Sequence, residues 1–249
     1  MKILGFGACM ISGTPFGPES SFFELAISKL RLNRSDIIQS SIVSLQGFDA
    51  PRAARNIKHQ IIKARPDIIV VQFGSTDAAV PIRKRLARRQ RLARFASTTT
   101  MNPDSDASFS RDKPCSRLAP RWIHLLKWRL KIVIADLFLL HPITTEKAYI
   151  DAITGMIKMS LSLGVTPIVL SPFPIGSSDR FAKAYGARLR TEMQHINGSY
   201  FIDAHSELSQ HPKSKTLCQD GLHISKFSHE LLGNRLVIQL EKLMPRCSR

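Results

Sequence analysis

Cysteine is scarce in this 249-residue chain, and the four cysteines, Cys9, Cys115, Cys218 and Cys247, lie far apart without any C-x-x-C pair. This spacing argues against both a disulfide framework and a zinc site built from cysteine pairs. The eight histidines also form no H-E-x-x-H pattern. The sequence therefore predicts neither a metal site nor a cofactor.

Long apolar runs are also missing. The longest, from Ile132 to Leu140, is interrupted by Asp136 and is too short to cross a bilayer, so it predicts a buried helix and no transmembrane segment. The N-terminus leads directly into a predicted strand and lacks the apolar stretch and cleavage site of a secretory signal. Together these absences predict a cytoplasmic protein.

Acidic residues are few: 19 Asp and Glu stand against 36 Lys and Arg, for a formal net charge of +17. Between Arg83 and Lys131, 14 basic residues accompany only three acids. Seven of them lie between Arg83 and Arg94 without an acid, which is typical of a solvated face or of a contact with RNA, DNA, an anionic lipid surface or an acidic protein. Residues 82–143 are predicted to be a basic, partly disordered insertion within a single domain, residues 1–249.

Outside the insertion, short β-branched runs alternate with helical periodicity, a pattern typical of βαβ units and of a doubly wound sheet. Apolar residues three and four apart predict helices over residues 50–64, 149–161 and 227–243, with Gly164 ending the second and Ser225 capping the last. Five strands forming a mainly parallel sheet are predicted, namely Lys2–Phe6, Ile37–Ser44, Asp67–Phe73, Val165–Leu170 and Tyr200–Ile202.

Four short blocks of small and polar residues stand at strand ends or before the last helix, where ligands bind in parallel sheets. In chain order they are Gly7-Ala8-Cys9-Met10-Ile11-Ser12-Gly13, Gly47, Gly74-Ser75-Thr76-Asp77 and Asp220-Gly221-Leu222-His223. Their order and spacing resemble the blocks G-D-S-x-x-x-G, a lone Gly, G-x-N-D and D-x-x-H of the SGNH/GDSL hydrolase superfamily. The resemblance spans the chain outside the insertion and implies a three-layer α/β/α, flavodoxin-like fold.

The resemblance also implies an esterase that transfers the acyl group of a small-molecule ester. Cys9 stands where the family has its nucleophilic serine, His223 where it has the general base, and Asp220 where it has the carboxylate that orients this base. The oxyanion-hole positions fall on the backbone N–H of Cys9, the N–H of Gly47, whose missing Cβ permits close backbone approach, and the side chain of Thr76.

The chain departs from the family pattern at three positions: Cys9 replaces the serine, Ala8 replaces an aspartate, and Thr76 replaces the oxyanion-hole asparagine. A thiol serves as a nucleophile when an imidazolium lowers its pKa, so the first departure is compatible with acyl transfer. The departures also support a second hypothesis, a catalytically weak or inactive SGNH-like binding protein whose basic insertion contacts an anionic partner.

Each site residue has a structural interpretation as well. Cys9 fits a small buried hydrophobe, His223 a residue at the start of a helix, and Asp220 a turn residue before glycine. Thr76 and Asp77 both fit caps of the segment that follows them, and for Asp77 this structural role is the prediction. Cys218 lies two residues before Asp220 and is a candidate neighbour of Cys9, but a redox pair is the less favoured interpretation because a cytosolic thiol is normally reduced. Oligomeric state is left open by the sequence.

Overall fold

The computed structural model describes residues 1–34, 37–79, 141–174, 179–218 and 220–244. Most of the predicted insertion, including the basic run from Arg83 to Arg94 and the apolar run from Ile132 to Leu140, lies outside these residues. Cys115 and Cys247 also lie outside them. The described residues fall into one compact unit, residues 1–79 together with residues 141–249.

Five strands form one sheet in the order β2-β1-β3-β4-β5, and every pairing is parallel. This order is the flavodoxin-like one, so the predicted α/β fold is confirmed. The largest difference from the predicted strand bounds is at β2, which begins two residues late. The strands are β1 (Lys2–Gly7), β2 (Gln39–Ser44), β3 (Ile68–Gln72), β4 (Thr166–Leu170) and β5 (Tyr200–Ile202).

Helices fill the connections between these strands and follow the last one. The three predicted helices are present with small shifts at their ends. The helices of the described residues are α1 (Phe22–Asn33), α2 (Ala50–Ala64), α3 (Ser75–Ala78), α4 (Glu146–Ser162), α5 (Asp179–Met193), α6 (Ala204–Ser209), α7 (Lys213–Thr216) and α8 (Lys226–Leu243).

Two apolar cores lie on opposite faces of the sheet. Alternate residues of each strand point to opposite faces, so Ile3 joins the core beneath α1 and α8 while Leu4 joins the core beneath α2, α4 and α5. All five residues of β3 are buried because helices cover both faces of this central strand. The three-layer arrangement follows from these two cores.

Two predicted helix ends are confirmed. The hydroxyl of Ser225 accepts a hydrogen bond from the N–H of Ser228 and caps α8. At the end of α4, Gly164 has a φ of 73° and its N–H donates to the carbonyl of Leu161, while the next N–H reaches the carbonyl of Ser160. This pair of bonds is a Schellman motif, which turns the chain directly into β4.

Candidate active site

Cys9 is the first residue of a short 3₁₀ turn, Cys9–Ser12, that starts two residues beyond β1. A Cβ on Gly7 would lie 2.6 Å from the carbonyl oxygen of Gln72, and a Cβ on Gly13 would lie 2.0 Å from that of Gly17. Both glycines of the first block are therefore required by close backbone packing. They hold the half-buried Cys9 thiol at the carboxyl edge of the sheet.

Asp220 holds the imidazole of His223 in a fixed orientation. Its Oδ2 lies 2.6 Å from Nδ1 of His223, and its Oδ1 accepts the N–H groups of Leu222 and His223 at 2.9 and 3.0 Å. Burial alone would raise the pKa of Asp220, but these hydrogen bonds outweigh it and lower the pKa to about 2. Because Nδ1 is engaged by a carboxylate, Nε2 is the ring nitrogen left for another partner.

The Cys9 thiol lies near enough to His223 to influence its pKa. The hydrogen bond to Asp220 and then that to Cys9 favour the imidazolium, and they outweigh burial and raise the pKa of His223 to about 10. The structure thus brings together the three residues for which catalytic roles were predicted. It also places the proton on His223 at neutral pH, which suits a neighbouring thiolate.

Cys218 has a different environment from Cys9. Its Sγ donates to the carbonyl of Ile224 at 3.3 Å, and both cysteines are free thiols. Burial first, and then the charge of Asp220, raise the pKa of Cys218 to about 11. Its thiol is therefore protonated at neutral pH.

The predicted oxyanion groups follow three adjacent strands. Gly7 pairs with Ser44 on one side and with Gln72 on the other, so β2, β1 and β3 end at the same level and their following turns lie side by side. Among the described residues, no acceptor binds the N–H of Cys9 or of Gly47. Oγ1 of Thr76 likewise has no hydrogen-bond partner there.

The backbone conformation of Gly47 requires glycine. A Cβ at this exposed position would meet nothing within 4 Å among the described residues, so packing within the protein does not demand glycine. Its φ of 71° does, because L side chains rarely adopt this conformation. Close approach of a reacting oxyanion to this backbone stays a prediction.

No family model and no curated protein sequence matches the chain, but solved structures do. A lipase/acylhydrolase from Enterococcus faecalis matches with a TM-score of 0.64 at 15% identity, covering 100% of this chain and 99% of that one. A lipolytic protein of the G-D-S-L family from Desulfitobacterium hafniense DCB-2 matches with a TM-score of 0.62 at 12% identity, covering 95% and 98%. A catalytic mutant of an acetylxylan esterase from Geobacillus stearothermophilus gives 0.62 at 15%, covering 96% and 93%.

The chain has an SGNH hydrolase-like fold. In this fold the strand order changes direction between β1 and β3, and ligands bind in the crevice at such a switch point. Cys9 follows β1 and Thr76 follows β3, so the resemblance in sequence and the topology indicate the same edge of the sheet.

The predicted role of Asp77 is corrected by the structure. Its Oδ1 accepts the N–H of Ala50 at 2.8 Å, so it binds the first turn of α2 and not the segment that follows it. Gly74 occupies the N-cap position of α3, which has no side-chain cap. The carboxyl group is fully buried in this SGNH hydrolase-like fold, and its Oδ2 has no partner among the described residues.

His229 is a second buried group that the sequence analysis missed. Its Nδ1 accepts the N–H of Phe22 at 3.1 Å, which anchors the start of α1 to the first turn of α8. Burial and the nearby charge of His223 lower its pKa to about 4, so the ring is neutral at pH 7. His229 and Phe22 are 207 residues apart in the chain, so no local sequence pattern predicts their contact.

The described residues contain neither a cluster of metal ligands nor a membrane-spanning helix. No three His, Cys, Asp or Glu side chains there lie close enough together to hold a metal ion. No helix there combines the length and the hydropathy that crossing a membrane requires.

Proposed function

We propose that this protein hydrolyses the ester bond of a small substrate by acyl transfer through Cys9. The observation that carries the proposal is the hydrogen bond between Asp220 and His223, together with the influence of Cys9 on the pKa of His223, at the switch point of the sheet. Among the described residues, the N–H groups of Cys9 and Gly47 have no acceptor. The solved structures that share the fold include esterases and acylhydrolases, which supports the same chemistry.

The first half of the reaction forms a thioester. The Cys9 thiolate attacks the ester carbonyl carbon, and the oxyanion that develops accepts the N–H groups of Cys9 and Gly47. When the C–O bond breaks, the imidazolium of His223 gives its proton to the departing alkoxide, which leaves as an alcohol. Asp220 keeps the ring in the orientation that presents Nε2 to the reacting atoms.

The second half returns the enzyme to its starting state. Neutral His223 takes a proton from water, and the resulting hydroxide attacks the thioester carbonyl. The C–S bond breaks, the carboxylic acid leaves, and the thiolate–imidazolium pair forms again. No redox partner or cofactor enters this sequence.

Thr76 limits the rate of both halves. Its hydroxyl is shorter than an asparagine amide, so it reaches a developing oxyanion less readily. Loss of one oxyanion donor typically costs about 10²- to 10³-fold in rate. We expect a slow hydrolase, with acylation of Cys9 easier to detect than turnover.

Intact-mass spectrometry after exposure to p-nitrophenyl acetate tests the proposal. We expect one acetyl group on the wild type, none on Cys9→Ala, and much slower labelling of His223→Ala. An unlabelled wild type whose Cys9 still reacts with iodoacetamide would contradict the proposal. Restored hydrolysis in Cys9→Ser, with an unlabelled wild type, would support the binding-protein hypothesis.

The outward face of α2 favours a second candidate function, binding of an anionic partner. Arg52, Arg55, His59 and Lys63 stand on this face, opposite the buried side chains, and all four are exposed. Residues 50–65 contain no acid, and none of the four forms an ion pair with another described residue. This basic α2 face lies on the same chain as the basic run from Arg83 to Arg94.

Heparin, a sulfated polymer, is a suitable probe for the basic α2 face. We expect wild-type binding to weaken steeply with salt, and Arg55→Glu combined with Lys63→Glu to weaken it at least about tenfold. Lys158→Glu combined with Arg188→Glu makes the same charge change on α4 and α5 and serves as the control. Equal losses in both variants would show that only net charge matters and would contradict a specific face.

A further inference from the structure

Burial of the Asp77 carboxyl group is energetically unfavourable. Its side chain is 0% exposed and its Oδ1 accepts the N–H of Ala50. The Thr144 side chain also favours the charged form of this carboxyl group, but Oδ2 has no hydrogen-bond partner among the described residues. Buried carboxyl groups that lack full hydrogen bonding reduce stability. Local packing alone therefore does not account for this carboxyl group.

The hydrogen bond of Asp77 joins two parts of the candidate oxyanion hole. Asp77 directly follows Thr76 in α3, and Ala50 is three residues beyond Gly47 at the start of α2. The bond spans 27 residues of sequence at 2.8 Å and connects the turn after β3 to the turn after β2. The backbone carbonyl of Asp77 also accepts the N–H of Thr144 at 3.2 Å. Asp77 is therefore also fixed to the segment that precedes α4.

Helix capping alone does not explain this arrangement. α2 already has an N-cap, because Oδ1 of Asp49 accepts the N–H of Arg52 at 2.9 Å. Asp49 belongs to the same segment as the helix it caps, whereas Asp77 comes from the far side of β1. Two carboxylates thus serve the first turn of α2, and only Asp77 ties that turn to another strand end.

We propose that Asp77 is a positioning residue of the acyl-transfer site, which holds the Gly47 N–H and the Thr76 hydroxyl in fixed relation across Cys9. The inference rests on the proposed function, because a fixed oxyanion hole matters only if an oxyanion forms. Donors that are held in place before the reaction stabilise the developing charge without a cost of reorganisation. Gly47 itself is exposed, and nothing among the described residues lies within 4 Å of where its Cβ would be, so the position of its N–H depends on its neighbours in the turn.

Two reactions at the same thiol separate positioning of the oxyanion hole from reactivity of Cys9. Acetylation by p-nitrophenyl acetate passes through a tetrahedral oxyanion, whereas alkylation by iodoacetamide displaces iodide at a saturated carbon and forms none. The ratio of the two rate constants therefore reports the oxyanion hole. Three variants are compared with the wild type: Asp77→Ala, Asp77→Asn and the matched control Asp49→Ala.

We expect Asp77→Ala to lower the acetylation rate about 10²-fold, by analogy with loss of one donor, and to leave the alkylation rate within about twofold. Asp77→Asn should retain most of the ratio because its amide oxygen accepts the same N–H of Ala50. Asp49→Ala removes a cap of the same helix and should leave the ratio unchanged. Equal ratios in Asp77→Ala and wild type, or equal losses in Asp77→Ala and Asp49→Ala, would overturn the inference.

Hydrogen exchange keeps this test separate from that of the proposed function. The Ala50 amide should exchange at least about tenfold faster in Asp77→Ala than in Asp49→Ala, with the increase extending to the Phe48 amide, which closes the Gly47 turn by donating to the carbonyl of Leu45 at 3.1 Å. Unchanged exchange at Phe48 in a folded Asp77→Ala variant would refute positioning even if the wild type were never acetylated. Failure of the wild type to react with the ester, by contrast, would refute the proposed function.

Discussion

The pairing of a thiol with His223 makes chemical sense at the scale of single residues. Asp220 and Cys9 together raise the pKa of His223 to about 10, so the imidazole carries a proton near neutral pH. A protonated histidine can stabilise a neighbouring thiolate through its charge. Because Cys9 itself contributes to the raised pKa of His223, the charged imidazole depends on the thiol beside it.

Selective alkylation tests this view of Cys9. At pH 7, iodoacetamide should label Cys9 at least about tenfold faster than Cys218, because burial and Asp220 raise the pKa of the Cys218 thiol to about 11. Peptide mapping by mass spectrometry measures both rates in one sample. His223→Ala should slow only Cys9, and comparable labelling of the two thiols in the wild type would contradict the assignment.

Asp77 predicts a pH dependence of stability. Burial raises its pKa from 3.8 to about 6, so the folded state binds more protons than the unfolded state between about pH 4 and 6. The free energy of unfolding should therefore fall as pH rises through this window and then level off, by on the order of 2 to 3 kcal/mol from this residue.

Urea denaturation of Asp77→Asn at pH 4 and pH 6.5 measures the effect. From pH 4 to pH 6.5, the free energy of unfolding should fall less, or rise more, in Asp77→Asn than in the wild type. Asp151→Asn changes an exposed carboxylate and should retain the wild-type dependence. An identical pH dependence in Asp77→Asn and wild type would show that Asp77 does not titrate in this window.

At the scale of elements, the 3₁₀ turn Cys9–Ser12 depends on its flanking glycines. Gly13 has a φ of 75°, and its N–H donates to the carbonyls of Cys9 and Met10, which closes the turn. A side chain there meets both an unfavourable conformation and the backbone of Gly17. The position of Cys9 therefore depends on a turn that tolerates few substitutions.

Two glycine substitutions separate this requirement from a general effect of alanine. Gly13→Ala should lower the free energy of unfolding by more than about 2 kcal/mol and reduce acetylation of Cys9. Gly155→Ala, in the exposed middle of α4 with nothing within 4 Å of its Cβ, should raise stability by about 0.5 to 1 kcal/mol. Thermal denaturation followed by circular dichroism compares the two, and a neutral Gly13→Ala would contradict the argument.

At the scale of the whole molecule, the two cores are built from residues on either side of the predicted insertion. Leu4 and Val71 precede it, and Ile153 and Val169 follow it in the same apolar core. The chain before and after the gap in the described residues is held together directly, because the N–H of Ile143 donates to the carbonyl of Ala79 at 3.0 Å. A short linker can therefore connect residue 79 to residue 141.

Replacement of residues 80–140 with a short Gly/Ser loop should therefore leave a folded protein. We expect a cooperative thermal transition and iodoacetamide labelling of Cys9 within about threefold of wild type, since neither core loses a described side chain. Heparin affinity should fall, because most of the excess positive charge is removed. Loss of the cooperative transition would show that the insertion contributes to the core.

The sequence predicted the sheet well because β-branched runs and helical periodicity are local signals. It missed α1 although Ser21 and Glu24 form a capping-box pattern, with Ser21 accepting the N–H of Glu24. It also missed α5, although Ala182, Tyr185, Leu189 and Met193 are buried at helical spacing.

The sequence by itself determined the parallel α/β architecture and the set of blocks that contains Cys9, Thr76 and His223, because both are written in short-range patterns. Only the tertiary structure decided that Asp77 binds Ala50 and that His229 binds Phe22. It also decided that the thiol of Cys218 bonds to the carbonyl of Ile224. These properties depend on burial and on contacts between residues far apart in the chain, and hydrogen bonds and pKa values respond to distance in space rather than in sequence.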